Sequence, residues 1–142
     1  TTTPKSPARS GYKFMGWYTS TGKKFSSTKK ITANVTYTAL YYSTNANLYN
    51  LRARAAGYWG NWIGRTICFH LHDGESKVAI QAFKADAKAK VSWSLNKKKW
   101  SSGSKKTVNM SNVLKKSLYF KVKAQSGATK IYKVRIEYIG EP

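Results

Sequence analysis

Apolar and polar residues take turns along most of this chain, and that period-2 pattern restricts its fold more than any other feature. In 117–125, Leu118, Phe120, Val122 and Ala124 fall on one side; in 130–139, Tyr132, Val134, Ile136 and Tyr138 do the same. Side chains alternate across an extended strand, so such runs bury one face and wet the other. Aromatics, which suit a pleated surface, make up 14% of the residues. Strands are expected from 12–18, across 35–42, and then at 48–55, 66–72, 77–84, 88–95, 106–110, 117–125 and 130–139. Thr19–Gly22, Ser101–Ser104 and Ser126–Gly127 read as reversals, and Asp73-Gly74 as a hairpin turn. The Ala- and Lys-rich stretch Ala82–Lys90 is the one place with helical character, and its flanks favour strand. Seven short strands after residue 46 point to an antiparallel β-sandwich.

The last two runs also allow a register to be tested. Pairing Val122 with Val134 and Phe120 with Ile136 puts both apolar sets on one side, with the loop centred on Ala128. It sets Lys123 opposite Lys133 and Lys121 opposite Arg135, a ladder of four cations that repels itself unless an anion joins it.

Charge is the second constraint. There are 26 Lys+Arg against 5 Asp+Glu in 142 residues, a formal charge of +21. Residues 1–50 carry seven basic residues and no acid; residues 51–142 carry nineteen and five, so the halves hold +7 and +14. The excess is spread over folded sequence, where self-repulsion costs stability, and it implies an acidic partner. Lysine outnumbers arginine 21 to 5. Lysine is a flexible point charge, suited to diffuse attraction by repeating phosphates, sulfates or carboxylates rather than to base reading. No apolar run approaches the ~18 residues of a membrane span.

Enzyme mechanisms have few residues to draw on, with five carboxylates and two histidines in all. No Ser-His-Asp arrangement, paired-carboxylate motif, P-loop or G-x-G-x-x-G appears. Cys68 has no cysteine partner and reads as a small buried or half-buried thiol with no activating pattern around it. Cys68, His70 and His72 share one face of a strand but span roughly 13 Å, too far for one ion. The chain therefore reads as non-enzymatic, with no catalytic residue, cofactor or metal ligand assigned.

Two segments point to binding instead. Gly57–Arg65 packs three glycines around Tyr58, Trp59 and Trp62 and reads as an aromatic loop, with Arg65 at its end. Such rings stack on sugars or bases, or anchor at lipid headgroups. Asn96–Trp100 places Lys97, Lys98 and Lys99 beside Trp100 at a tip between strands, a mobile electrostatic hook. Lys88-Ala89-Lys90 and Lys115-Lys116 extend the charge. The candidate ligand-binding set is Tyr58, Trp59, Trp62, Arg65, Lys97, Lys98, Lys99 and Trp100, with Lys121, Lys123, Lys133 and Arg135 of the last hairpin.

Residues 7–42 resemble a known family. Pro7-Ala8-Arg9-Ser10-Gly11-Tyr12-Lys13-Phe14-Met15-Gly16-Trp17-Tyr18-Thr19 is similar to the P-x-R-x-G-Y-x-F-x-G-W-Y-T core of the Listeria–Bacteroides repeat, also called the internalin B-repeat. Ile31–Tyr41 resembles its closing strand. The repeat's first strands and its terminal Lys-Trp have no counterpart here. The resemblance implies the C-terminal part of a β-grasp-like repeat from a secreted or wall-anchored bacterial surface protein. Tyr12, Phe14, Trp17, Val35 and Tyr37 would be its small core, and its open edge would pack on the module that follows or fray. More loosely, Leu118–Gly127 followed by Tyr132–Ile136 resembles the "x-V-x-A-x-x-G … Y-x-V-x-I" ending of bacterial cadherin-like β-sandwich domains, over 88–139.

The combined expectation is an all-β chain: a partial β-grasp-like repeat over 1–45, then a basic antiparallel β-sandwich over 46–142. It begins at Thr1 and reads as a mature portion or an excised piece. Its expected role is non-catalytic binding or adhesion outside a bacterial cell. The partner would be an anionic polysaccharide or cell-wall polymer (teichoic acid or peptidoglycan), a host glycosaminoglycan, or an anionic membrane surface. A nucleic-acid-binding module is the main alternative, and a structural spacer or protein-docking domain the other.

Overall fold

The computed structural model describes residues 4–28, 34–54, 58–71, 77–110 and 115–138. These residues are all-β, without a helix. In chain order the strands are β1 (Tyr12–Tyr18), β2 (Thr38–Ser43), β3 (Leu48–Arg54), β4 (Tyr58–Ile63), β5 (Thr66–Leu71), β6 (Lys77–Lys84), β7 (Lys90–Ser94), β8 (Ser101–Ser102), β9 (Lys105–Asn109), β10 (Lys115–Lys123) and β11 (Thr129–Tyr138). They form a two-stranded sheet β1-β2, a three-stranded sheet β3-β6-β9 and a six-stranded sheet β4-β5-β11-β10-β7-β8.

The alternation decides where the core sits. Leu51, Ala53, Val78, Ile80, Ala82 and Val108 from the three-stranded sheet join one cluster with Ile67, Phe69, Leu71, Leu118, Phe120, Val122, Val134 and Ile136 from the six-stranded sheet. Burying each large aliphatic or Phe side chain stabilises the fold by roughly 1.5–3 kcal/mol. Lys106 reaches over the Trp93 ring, Nζ 4.3 Å from its centroid. It stands opposite Ile80, so its stem lies along the core while its charge covers the indole.

Several expectations are corrected. The six-stranded sheet is mixed, because β11 lies between β10, antiparallel, and β5, parallel. A parallel neighbour is invisible to strand-by-strand alternation. Residues 58–63 of the expected aromatic loop are strand β4, paired with β5. Gly60 is required there: a Cβ would lie 2.9 Å from the Phe69 ring. Asp73-Gly74 lies outside the described residues, but β5 and β6 belong to different sheets, so no hairpin joins them. The expected break at Ser101–Ser104 likewise carries the chain from β8 in one sheet to β9 in another.

The β10–β11 register differs as well. Val122 stands opposite Lys130, Phe120 opposite Tyr132 and Leu118 opposite Val134. The turn is the reason. Gly127 N donates to Ala124 O at 2.9 Å and Ala124 N to Ala128 O at 2.7 Å, closing the loop around Ser126 rather than Ala128. The facing cation pairs Lys123–Lys133 and Lys121–Arg135 therefore do not form.

Before Ser43, no described residue is buried. Phe14 meets Trp17 and Tyr41 edge to face, and Phe25 meets Tyr37, but Tyr12 and Val35 are exposed rather than core. Ile31–Ala33 and Lys29–Lys30 lie outside the described residues. This small sheet is tied to the rest at Ser43. Ser43 N donates to Gln125 Oε1 at 3.1 Å, and Ser126 N donates to Ser43 O at 3.0 Å.

Candidate functional site

One face of the six-stranded sheet is core and the other is cationic. With Leu118, Phe120 and Val122 buried, the opposite parity of β10 presents Lys115, Ser117, Tyr119, Lys121 and Lys123 outward over about 27 Å of strand. The same parity on β11 presents Ile131, Lys133, Arg135 and Glu137, and on β5 Thr66, Cys68 and His70. On β7, Lys90 stands directly opposite Lys123.

At one place three cations converge on an aromatic ring, in a depression of about 530 Å³ lined by Arg65, Thr66, Lys97, Tyr119, Ile131 and Lys133. Tyr119 faces Lys133 in the ladder. Both Lys97 Nζ, at 5.1 Å, and Lys133 Nζ, at 6.0 Å, lie over its ring centroid. Each contact is worth about 0.5–1 kcal/mol at an exposed site, yet sharing one ring holds two like charges close together. Among the described residues, no carboxylate lines the depression. Alongside, Lys121 Nζ sits 4.4 Å over the Trp100 ring.

The backbone of the loop carrying Lys97 is knit together by local side-chain hydrogen bonds. Ser94 Oγ accepts from Asn96 N at 3.2 Å and Lys97 N at 2.9 Å. Asn96 Oδ1 accepts from Lys98 N at 2.8 Å and Lys99 N at 3.1 Å. Such local side-chain bonds let Ser and Asn shape a turn. Lys97 takes a φ of 65° and its Nζ lies over the Tyr119 ring; like Lys98 and Lys99, it is exposed.

A second basic notch, about 360 Å³, lies at the other end of β10. Tyr42, Lys88, Lys90, Lys123, Ala124 and Gln125 line it. Asp86 stands next to it. A hydrogen bond from the Ser43 side chain, then one from Lys88 N, holds its carboxyl below the usual 3.8. A further concavity, about 610 Å³ near Tyr49, Phe83 and Val91, is a weaker candidate. Its Lys84 is tied to the Ala87 and Ala89 carbonyls at 3.0 and 2.8 Å.

Of the expected site residues, Arg65, Lys97 and Lys133 converge, and Lys121 and Trp100 form a pair beside them. Lys123 belongs to the second notch. Arg135 is held by Glu137, Nη2 to Oε1 3.1 Å. Trp62 is 42% exposed at the end of β4. Tyr58 and Trp59 stand opposite Leu71 and His70; their side chains lie outside the described residues, as do His72 and Gly57. Sequence reasoning missed Tyr119 and Tyr42, and named Lys90 only as an extension of the charge. Tyr119's parity with Lys121 and Lys123 was a usable signal, but the wrong register hid its partner.

The remaining outward group on this face is Cys68, His70 and Glu137. Burial pushes the Cys68 thiol up, Glu137 adds to the rise, and Arg135 and Lys115 oppose it. No protein-family model matches the chain, and a search of curated proteins returns no relative.

Proposed function

We propose that the protein is a non-catalytic binding module that holds a linear anionic polymer along the outer face of its six-stranded sheet. The observation that carries this is the pair Lys97 and Lys133 over one Tyr119 ring, with Arg65 in the same acid-free depression. Such a cluster is stabilised when phosphate, sulfate or carboxylate groups enter it, and the one described acid on the face, Glu137, is paired with Arg135 and Lys115 instead. The basic notch at the far end of β10 extends the track to the length of several repeating units. Because lysines already cover the Tyr119 and Trp100 rings, the reading rests on charge rather than on open stacking platforms.

The resemblance over residues 7–42 favours a bacterial cell-surface or secreted setting. The preferred partners are therefore anionic polysaccharides and wall polymers such as teichoic acid, with glycosaminoglycans next. The test is titration of labelled teichoic acid, heparin and single-stranded DNA of matched charge at two salt concentrations. Tighter binding of the wall polymer or heparin, weakened by salt and by the triple replacement Arg65→Ala, Lys97→Ala, Lys133→Ala, is expected. Preference for DNA moves the reading to a nucleic-acid module, and absence of all binding at physiological salt to a spacer.

A further inference from the structure

We propose that Cys68, His70 and Glu137 form a binding site for a borderline divalent cation, zinc above all. One ligand atom from each, a thiol sulfur, an imidazole nitrogen and a carboxylate oxygen, lie within 4.8 Å of one another, and all three residues are half-buried. Three points no more than 4.8 Å apart share a point within 4.8/√3, about 2.8 Å, of each. Zinc bonds of about 2.0–2.3 Å to these donors need only a short inward movement of the side chains.

The sheet builds this set. Cys68 and His70 are two apart on β5 and share its outer face. The parallel pairing sets Glu137 directly opposite His70 and Arg135 opposite Cys68. Counting ligands along β5 alone misses the carboxylate, which arrives 67 residues later (137 − 70) by way of β11.

The carboxylate is already oriented. Its Oε1 accepts Arg135 Nη2 at 3.1 Å and faces Lys115 Nζ at 3.8 Å. Its other oxygen, Oε2, faces His70 Nδ1 at 4.0 Å. One oxygen is thus anchored by cations and the other aimed at the imidazole, the arrangement by which outer-shell partners hold a ligand in place. A mixed sulfur, nitrogen and oxygen set selects zinc over magnesium or calcium, which take oxygen. On binding, the Cys68 proton leaves to solvent; thiolate and carboxylate then balance the ion's two charges, and a fourth position stays open to water.

The test is titration of the whole protein with Co²⁺, followed by displacement with Zn²⁺. One equivalent is expected to bring up a thiolate-to-cobalt charge-transfer band together with the intense visible bands of a four-coordinate ion. Cys68→Ser should abolish the charge-transfer band, and His70→Ala and Glu137→Gln should each weaken affinity at least tenfold. Lys97→Ala should leave binding unchanged. X-ray absorption at the zinc edge of the unaltered protein should give one sulfur and lighter scatterers, which keeps the test independent of any variant's folding. No band at one equivalent, a band indifferent to Glu137→Gln, or a band that appears only as the protein dimerises would each overturn the site.

Discussion

Tyr119 is the residue on which the proposed binding face turns. It gives up burial on a core strand to serve as the floor for two ammonium groups, which would otherwise have only water around them. Either lysine alone should be comfortable there, while both together wait for a counter-charge. Lys97→Ala or Lys133→Ala should therefore lower polyanion affinity about fivefold, at about 1 kcal/mol per cation near an anionic surface. Neither change should lower the thermal midpoint, and calorimetry alongside titration checks the pair of outcomes. Asp86 makes the opposite kind of prediction. Its folded-state pKa lies below its ordinary 3.8, so the ionised form stabilises the junction at pH values above that. The contribution is lost as the pH falls through the lower, folded value. The Ser126 amide, bonded to Ser43 O, should shift in NMR spectra over that acid range, and Asp86→Asn should remove the titration.

Among the elements, the β10–β11 hairpin positions the site through its turn. Gly127 holds a φ of +98°, a conformation that costs other residues about 1–3 kcal/mol. Gly127→Ala should lower stability in urea by about 1 kcal/mol or more. On β4, Gly60→Val would drive a side chain into the Phe69 ring, and overpacking of this kind costs about 1–3 kcal/mol; the same urea titration reads it. Much of this level was legible in the sequence. Period-2 alternation placed nearly every strand and gave β10 and β11 their correct inward faces, because burial is what alternation records. It could not choose the register, since any even shift keeps the same faces inside, and only the turn hydrogen bonds separate one shift from another. It also passed over β4, which its glycine-rich surroundings made read as loop although Gly60 serves to admit Phe69. The candidate site was legible as residue types and not as a grouping: Lys97 and Lys133 were singled out, while Tyr119, which joins them, depended on the register.

For the molecule as a whole, the charge of +21 has an arrangement as well as a sign. One sheet face carries a track of lysines, and the few described acids are spoken for at its ends, Asp86 by Ser43 and Lys88, Glu137 by Arg135 and Lys115. Salt screens such repulsion over about 8–10 Å at physiological strength. Adding salt should thus raise the thermal midpoint while weakening the polymer, and saturating polymer at low salt should raise it further; a midpoint indifferent to both would contradict a self-repelling face. The position of β11 carries one last consequence, for how the molecule comes into being. It lies inside the six-stranded sheet, between β5 and β10, yet it is the last described strand to be synthesised. Until it arrives, β5 and β10 are open edges, and no partial chain can close the sheet. Non-local pairing of this kind is slow, so the earlier sheets and hairpins can form first while the two halves of the six-stranded sheet wait for this strand to join them.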